Sequence, residues 1–427
     1  MYLNKADLAQ CQAWEAELSD AYDSLKSQQL NLDITRGKPS SEQLNLSDSL
    51  DGILKGNYKA ADNTDTRNYG GLDGITESKK LGSYLLGSPI ENILVGGNSS
   101  LQLMFQVVLT AHHFGLTGAE SAWSSSGTVK FICPVPGYDR HYTVTETLGI
   151  EMVTVEMNDH GPDMDAVEAL IKSDDTIRGM WNVPRFSNPT GIVYSDEVVN
   201  RIAALGKIAH PDFRIMWDNA YAAHQLSDDA PQVANIYDAC KAQGTEDSVI
   251  QFASTSKITH AGAGVSFISA SPANLAGIKK VLSACTIGPD KVNQLRHSRL
   301  IPDEASLKAL MAKHAELLKP RFEMVLNKLS AAFEKSDLGR WETPQGGYFV
   351  SFDARAHCAK EVVRLAGEAG VKLTPAGATY PYGKDPLDCN IRIAPSVPSV
   401  AEIEKAMDVF VVCVKLASVK QRIAELS

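Results

Sequence analysis

Between residues 129 and 269, short apolar runs alternate with helical patterns, and this alternation limits the fold more than any other feature of the chain. The runs cover residues 129–133, 150–156, 179–183, 214–217, 249–253 and 265–269. Stretches with helical spacing, at 163–172 and 195–210, intervene. A chain that keeps returning from helix to strand builds an α/β layer around a mainly parallel sheet. Ligands of such sheets bind outside the carboxyl ends of the strands, so the residues that follow each run are the first candidates for chemistry.

Those residues form a short set. Tyr138 lies in Pro136-Gly137-Tyr138-Asp139-Arg140-His141, Asn188 in Ser187-Asn188-Pro189-Thr190-Gly191, and Asp218 in Asp218-Asn219-Ala220-Tyr221. Ser254 and Lys257 follow the run at 249–253 and precede the turn Ala261-Gly262-Ala263-Gly264. A lysine framed by small and hydroxylated residues can enter a cleft, and once desolvated it is a nucleophile for aldehydes. Read alone, the stretch is better explained as a loop lysine beside a tight turn. Upstream, the run at 89–95 enters Gly96-Gly97-Asn98-Ser99-Ser100 and then helical spacing at 101–105. Backbone N–H groups and hydroxyls at the positive end of a helix can cradle a phosphate, or can simply cap the helix. Arg67-Asn68-Tyr69-Gly70-Gly71-Leu72-Asp73-Gly74 is dense in glycine and must be a shaped loop.

Charge and cysteine usage narrow the function classes. Lys and Arg total 41 against 51 Asp and Glu, a net −10 with the excess spread along the chain. This argues against nucleic acid or an anionic membrane as the main partner. The N-terminus lacks a basic-then-apolar leader pattern, and runs such as 409–414 are far too short to span a bilayer. Seven scattered cysteines, none in a Cys-x-x-Cys pair, read as reduced thiols of a cytoplasmic protein with no zinc site.

Both ends of the chain follow another pattern. Residues 5–28 have the spacing of a surface helix, and 32–39 read as a short strand ending in a turn. Residues 306–328 form a long helical run in which Pro320 predicts a kink. Strands and glycine-rich turns follow at 340–353 and 371–392, and Ser399-Val400-Ala401-Glu402 is a capping box. This half reads as a smaller α+β unit packed with the N-terminal segment.

Together the strand-end residues make a chemical set that suits pyridoxal 5′-phosphate (PLP): a lysine for the aldehyde, an aromatic for the ring, an aspartate for the ring N–H, and Asn and Tyr for the phenolic oxygen. At this point the sequence resembles the class I aminotransferases of PLP fold type I, closest to a divergent aspartate aminotransferase subgroup. The resemblance runs through Asn68-Tyr69, Asp73-Gly74, Gly97-Asn98-Ser99-Ser100, Tyr138, Asn188-Pro189-Thr190-Gly191, Asp218-Asn219-Ala220-Tyr221, Ser254 with Lys257, Gly346-Gly347-Tyr348-Phe349 and Asn390-Ile391-Arg392. It implies a large domain with a mainly parallel seven-stranded sheet and a smaller α+β domain. The implied division is 1–48, packing with the small domain, 49–305 as the PLP-binding domain, and 306–427 as the small domain, with 306–334 as connector.

The resemblance also implies roles. Lys257 is the Schiff-base lysine and proton shuttle, and Asp218 partners the ring nitrogen, buttressed by His141. Tyr221 and Asn188 hold the phenolic oxygen, and Tyr138 stacks on the ring. Asn98, Ser99, Ser100 and Ser254 bind the phosphate, joined by Tyr69 of a neighbouring subunit, so a homodimer with shared active sites is implied. Arg392 grips the substrate α-carboxylate, and Gly37 lies where the N-terminal segment covers the substrate. One departure stands out. The family has a phosphate-binding arginine about eight positions after the lysine, whereas 261–266 here hold no cation, leaving His260 or a distant Lys or Arg. The expected reaction is ping-pong transfer of an amino group from aspartate to 2-oxoglutarate. Arg140 is the expected partner of the distal carboxylate, with Arg36 and Lys291 as other candidates. An aromatic or kynurenine-type aminotransferase, an aspartate decarboxylase or β-lyase, and a non-enzymatic PLP-binding regulator domain are the alternatives.

Overall fold

The computed structural model describes residues 1–427, the side chain of Ser126 aside. Its first strand, β1 (Leu32–Asp33), lies outside the main sheet. Eight strands build that sheet: β2 (Ile93–Val95), β3 (Lys130–Val135), β4 (Glu151–Asn158), β5 (Gly161–Pro162), β6 (Ile177–Asn182), β7 (Arg214–Asp218), β8 (Val249–Ser254) and β9 (Ser266–Ala270). Their order is β2-β9-β8-β7-β6-β3-β4-β5. From β8 to β4 every neighbouring pair is parallel, while β9 runs antiparallel to both β8 and β2. The expected seven strands are present, and the two-residue β5 adds an eighth at the edge, pairing antiparallel with β4.

Side-chain alternation along these strands divides the apolar residues between two faces. Phe131, Cys133, Met216, Ile250 and Phe252 join a core beneath the helices Ser100–Leu109 and Pro272–Cys285. Ile132, Ile215, Trp217 and Val249 join a second core beneath Met164–Ser173 and Asp196–Ala204. Covering both faces explains why the strand sequences are apolar almost throughout. It also leaves the carboxyl ends of β6, β7 and β8 as the place where polar residues gather.

The second layer comprises β10 (Gly339–Trp341), β11 (Val350–Ala354), β12 (Val371–Lys372) and β13 (Asn390–Ile393). Antiparallel pairing gives a sheet of order β10-β11-β13, and β12 pairs in parallel with β1, matching Leu32 to Val371. One core joins Leu3, Cys11, Tyr22 and Ile34 to residues of Glu304–Phe333 and Val400–Leu426. The first of these helices continues through Pro320 as a single 30-residue element. The second opens on the expected capping box: the Glu402 N–H donates to Ser399 Oγ (3.3 Å) and the Ser399 N–H to the Glu402 carboxylate (2.8 Å). No helix is long and apolar enough to cross a membrane among the described residues. All seven cysteines are unpaired, and only Cys285 is exposed.

Candidate active site

Strand ends and loops from across the sequence meet at a cavity lined by Ser100, Tyr138, Asn188, Asp218, Tyr221 and Lys257. Asp218 ends the wholly buried strand β7, Ser254 ends β8, and Lys257 lies three residues further on. Tyr138 stands where β3 turns into the helix Asp139–Thr147. The Gly137 N–H donates to Thr379 O (2.8 Å) and Tyr142 Oη to Pro134 O (2.9 Å), which fix that turn.

Asp218 is 2% exposed. His141 Nε2 lies 3.0 Å from its Oδ2, and the imidazole stacks flat on Trp181, 4.3 Å between centroids. The other oxygen, Oδ1, is buried without a hydrogen-bond partner. A buried carboxylate oxygen left unpaired is costly, so its place at the cavity marks where a donor belongs. Across the cavity, Lys257 Nζ stands 5.0 Å from the centre of the Tyr221 ring. Burial lowers the Lys257 pKa and the charge of Asp218 partly opposes this. Burial likewise pushes the phenols of Tyr138 and Tyr221 up, so both stay protonated donors.

Residues with no role assigned from the sequence hold the lysine from behind. Tyr348 Oη donates to the Lys257 carbonyl (3.2 Å), and His224 Nε2 lies 3.2 Å from the same oxygen. Because a carbonyl only accepts, His224 carries its proton on Nε2, while its buried Nδ1 has no partner. Gln43 Nε2 donates to Tyr348 Oη and lies 3.0 Å from His314 Nδ1, and His314 Nε2 reaches Ile258 O at 2.8 Å. Burial lowers the His224 pKa to about 3 and also lowers that of His314, so both rings are neutral near pH 7.

Arg392, on β13, is 7% exposed and enters from the second layer. Its Nη1 donates to Asn188 Oδ1 (3.2 Å) and to Asp139 Oδ1 (3.0 Å), and Phe349 lies under the guanidinium at 4.7 Å. Gly37 packs against that phenyl ring. A Cβ at Gly37 would fall 2.5 Å from Phe349 Cζ, so any larger residue would have to displace that ring.

At the other end, the helix Ser100–Leu109 begins at Ser99 with no side-chain cap. Its first N–H groups and the hydroxyls of Ser99 and Ser100 therefore remain for an anion. The Asn98 amide is engaged elsewhere, donating to Gly262 O (3.2 Å), while Asn98 O accepts from Ser256 Oγ (2.6 Å). Where the family arginine was expected, Asn293 Nδ2 instead holds the turn through Ala263 O (2.9 Å) and Gly264 O (3.1 Å). His260 pairs at 3.5 Å with Asp48.

Four expected residues fall outside the cavity. Tyr69 is 88% exposed. Arg140 lines an adjoining open groove with Ser99, Leu101 and Gln102, and its Nε is 3.9 Å from Asp139 Oδ2. Lys291 is buried and donates to the carbonyls of Asn68 (2.8 Å) and Gly70, bracketing Tyr69. It supports that loop and does not face the cavity. Arg36 is exposed.

A desolvated lysine, a carboxylate with one free oxygen and an arginine at the layer boundary define an amino-acid-handling site on an α/β scaffold. Comparison with known proteins agrees. The sequence model of the aspartate amino-transferase family matches residues 4–425. An aspartate aminotransferase of Corynebacterium glutamicum is 48% identical over 403 residues, covering 94% of this chain and 93% of that one. The crystal structure of an aspartate transaminase from Corynebacterium glutamicum superimposes with a TM-score of 0.95 at 46% identity, covering 99% of each chain. LysN, the α-aminoadipate aminotransferase of Thermus thermophilus, shares the fold at 18% identity, with a TM-score of 0.73 over 99% of this chain and 96% of its own. The chain belongs to the aspartate aminotransferase family. It is an aminotransferase with the fold of PLP fold type I.

Proposed function

We propose that this aminotransferase holds PLP in the Lys257 cavity and, as a homodimer, transfers the amino group of aspartate to 2-oxoglutarate. Asp218 is the observation that carries the reading. One of its oxygens is fixed by His141, and the other is buried, unpaired and set at a cavity that also holds a desolvated lysine. These residues fit PLP: Asp218 Oδ1 for the ring N–H, Tyr138 for the ring face, Tyr221 and Asn188 for the phenolic oxygen. Ser254, Ser99, Ser100 and the uncapped helix would take the phosphate, with backbone and hydroxyl donors replacing the absent arginine. LysN, which shares the fold, was crystallised in complex with N-(5′-phosphopyridoxyl)-L-leucine.

When bound, PLP supplies an aldehyde for amine exchange and a ring that accepts the electron pair of the substrate α-carbon. Lys257 Nζ, with its proton affinity lowered by burial, takes the proton from that carbon. Asp218 would meet the ring nitrogen through its free oxygen, and His141 keeps Asp218 in place. Arg392 fixes the α-carboxylate, which orients the Cα–H bond toward Lys257. The exposed Tyr69, held by Lys291, would complete the phosphate site of a second copy.

The aspartate preference rests on what the Corynebacterium relatives are named. Arg140→Ala should cost more activity on aspartate than on alanine if Arg140 holds the distal carboxylate. The decisive experiment on the cofactor is Lys257→Ala, expected to lose the visible absorbance of the covalently held cofactor and nearly all turnover. A fully active Lys257→Ala protein would sink the reading. Mixing the cofactor form with single amino acids and following that absorbance ranks the donors.

A further inference from the structure

Arg392 already carries a carboxylate. Both protons of Nη1 are used, one by Asp139 Oδ1 at 3.0 Å and one by Asn188 Oδ1 at 3.2 Å. Its Nε is buried and unpartnered, so the Nε edge is not open to solvent. A substrate carboxylate gripped by two parallel N–H bonds needs one edge of the fork free. The Nη1–Nη2 edge becomes free only when a present partner leaves. Asn188 is fixed in the buried wall of the cavity, 3% exposed, whereas the Asp139 side chain is 30% exposed. Asp139 also has somewhere to go: Arg140 Nε is 3.9 Å from its other oxygen, on the side facing the open groove.

We propose that Asp139 is a resident carboxylate that occupies Arg392 until a substrate carboxylate displaces it, and that Arg140 receives Asp139 when this happens. Asp139 is then a positioning residue that acts through Arg392. It keeps the guanidinium aligned and neutralised while the site is empty, and it weakens the hold on every carboxylate ligand by competing for the same donors. Arg140 acts without touching substrate, which accounts for its place outside the cavity. The inference rests on the reading of Arg392 as the carboxylate grip.

The test is the affinity of the cofactor-loaded enzyme for succinate and propionate, unreactive di- and monocarboxylates, measured by calorimetry. Asp139→Asn should tighten both by about tenfold, the scale of removing one partly screened like charge a few ångströms away. Tightening is the opposite of what structural damage produces. Arg140→Ala should weaken both ligands alike, and in the Asp139→Asn background it should have no effect. Unchanged or weaker binding in Asp139→Asn overturns the inference. So does an Arg140→Ala loss confined to succinate that persists in the double variant, which would make Arg140 the distal-carboxylate partner. Arg392→Ala separates the two levels. If it leaves succinate binding intact, the grip assignment itself fails. If it abolishes binding while Asp139→Asn changes nothing, only the displacement fails. Asp139 opens a helix, so Asp139→Ser, which also tolerates that position, replaces the Asn variant should a thermal melt show it unfolded.

Discussion

Protonation of His224 should be a measurable part of how this protein fails in acid. The ring is 2% exposed, donates through Nε2 to the Lys257 carbonyl and has a pKa lowered by burial from 6.5 to about 3. Above pH 6.5 the ring is neutral whether the chain is folded or not, and it adds no pH dependence. Below that value the unfolded chain takes up a proton that the folded chain refuses, so stability falls with falling pH and levels off only near the folded value. At pH 5 the cost is 2.303RT·log(1 + 10^1.5), about 2 kcal/mol, set almost wholly by the unfolded pKa as long as the folded one lies well below 5. His224→Gln removes the titration and keeps an amide donor for Lys257 O. The assay is urea unfolding of wild type and variant at pH 7.5 and pH 5.0. The variant should lose about 2 kcal/mol less stability than wild type over this interval. His314, His297 and His112 are also lowered by burial and remain in both proteins, so they cancel in the difference. An identical acid loss in the two proteins would refute the reasoning.

Three further outcomes follow from the geometry. Tyr348→Phe leaves a buried Gln43 N–H without its acceptor and should cost about 2 kcal/mol, while adding Gln43→Met should recover part of that loss; strict additivity in the unfolding data would show that the two do not interact. Gly37→Ala must move Phe349, and with it the floor under Arg392, so KM for amino acids should rise together with a stability loss of about 1–3 kcal/mol. Asp218→Asn should keep the fold, by circular dichroism, and lower kcat by about a hundredfold or more; near-normal turnover would remove Asp218 from the mechanism.

The parts of the site that sequence exposes are those fixed by strand periodicity. Once a buried run is recognised, its carboxyl end is known to within one or two residues, and Asp218, Ser254 and Lys257 are read directly from that. Tyr138 and His141 share the inward face because three positions make nearly one helical turn, whereas Arg140 between them points outward. That phase was available in the sequence and argues against placing Arg140 in the cavity. Other contacts have no local signal. Gln43 meets His314 and Tyr348 across 271 and 305 residues, and Asp139 meets Arg392 across 253. These pairings exist only once the two layers have packed. The polar side chains that make them look, in sequence, like any others in loops and helix starts.

Lys291 gives the exposed Tyr69 loop a property that bare exposure would not. An ammonium group buried on carbonyl oxygens alone clamps both sides of one residue, and the adjoining Gly70 and Gly71 hold left-handed φ angles of 93° and 72° that fix the bend. The tyrosine is therefore mounted on a stiff bracket, and its backbone freedom is already gone before any surface meets it. A receiving surface would not have to order the arm, so encounter and docking can be nearly one event, with little induced rearrangement. Loosening the bracket with Lys291→Met should leave the tyrosine present and accessible yet slow its docking, a kinetic signature distinct from loss of the ring itself.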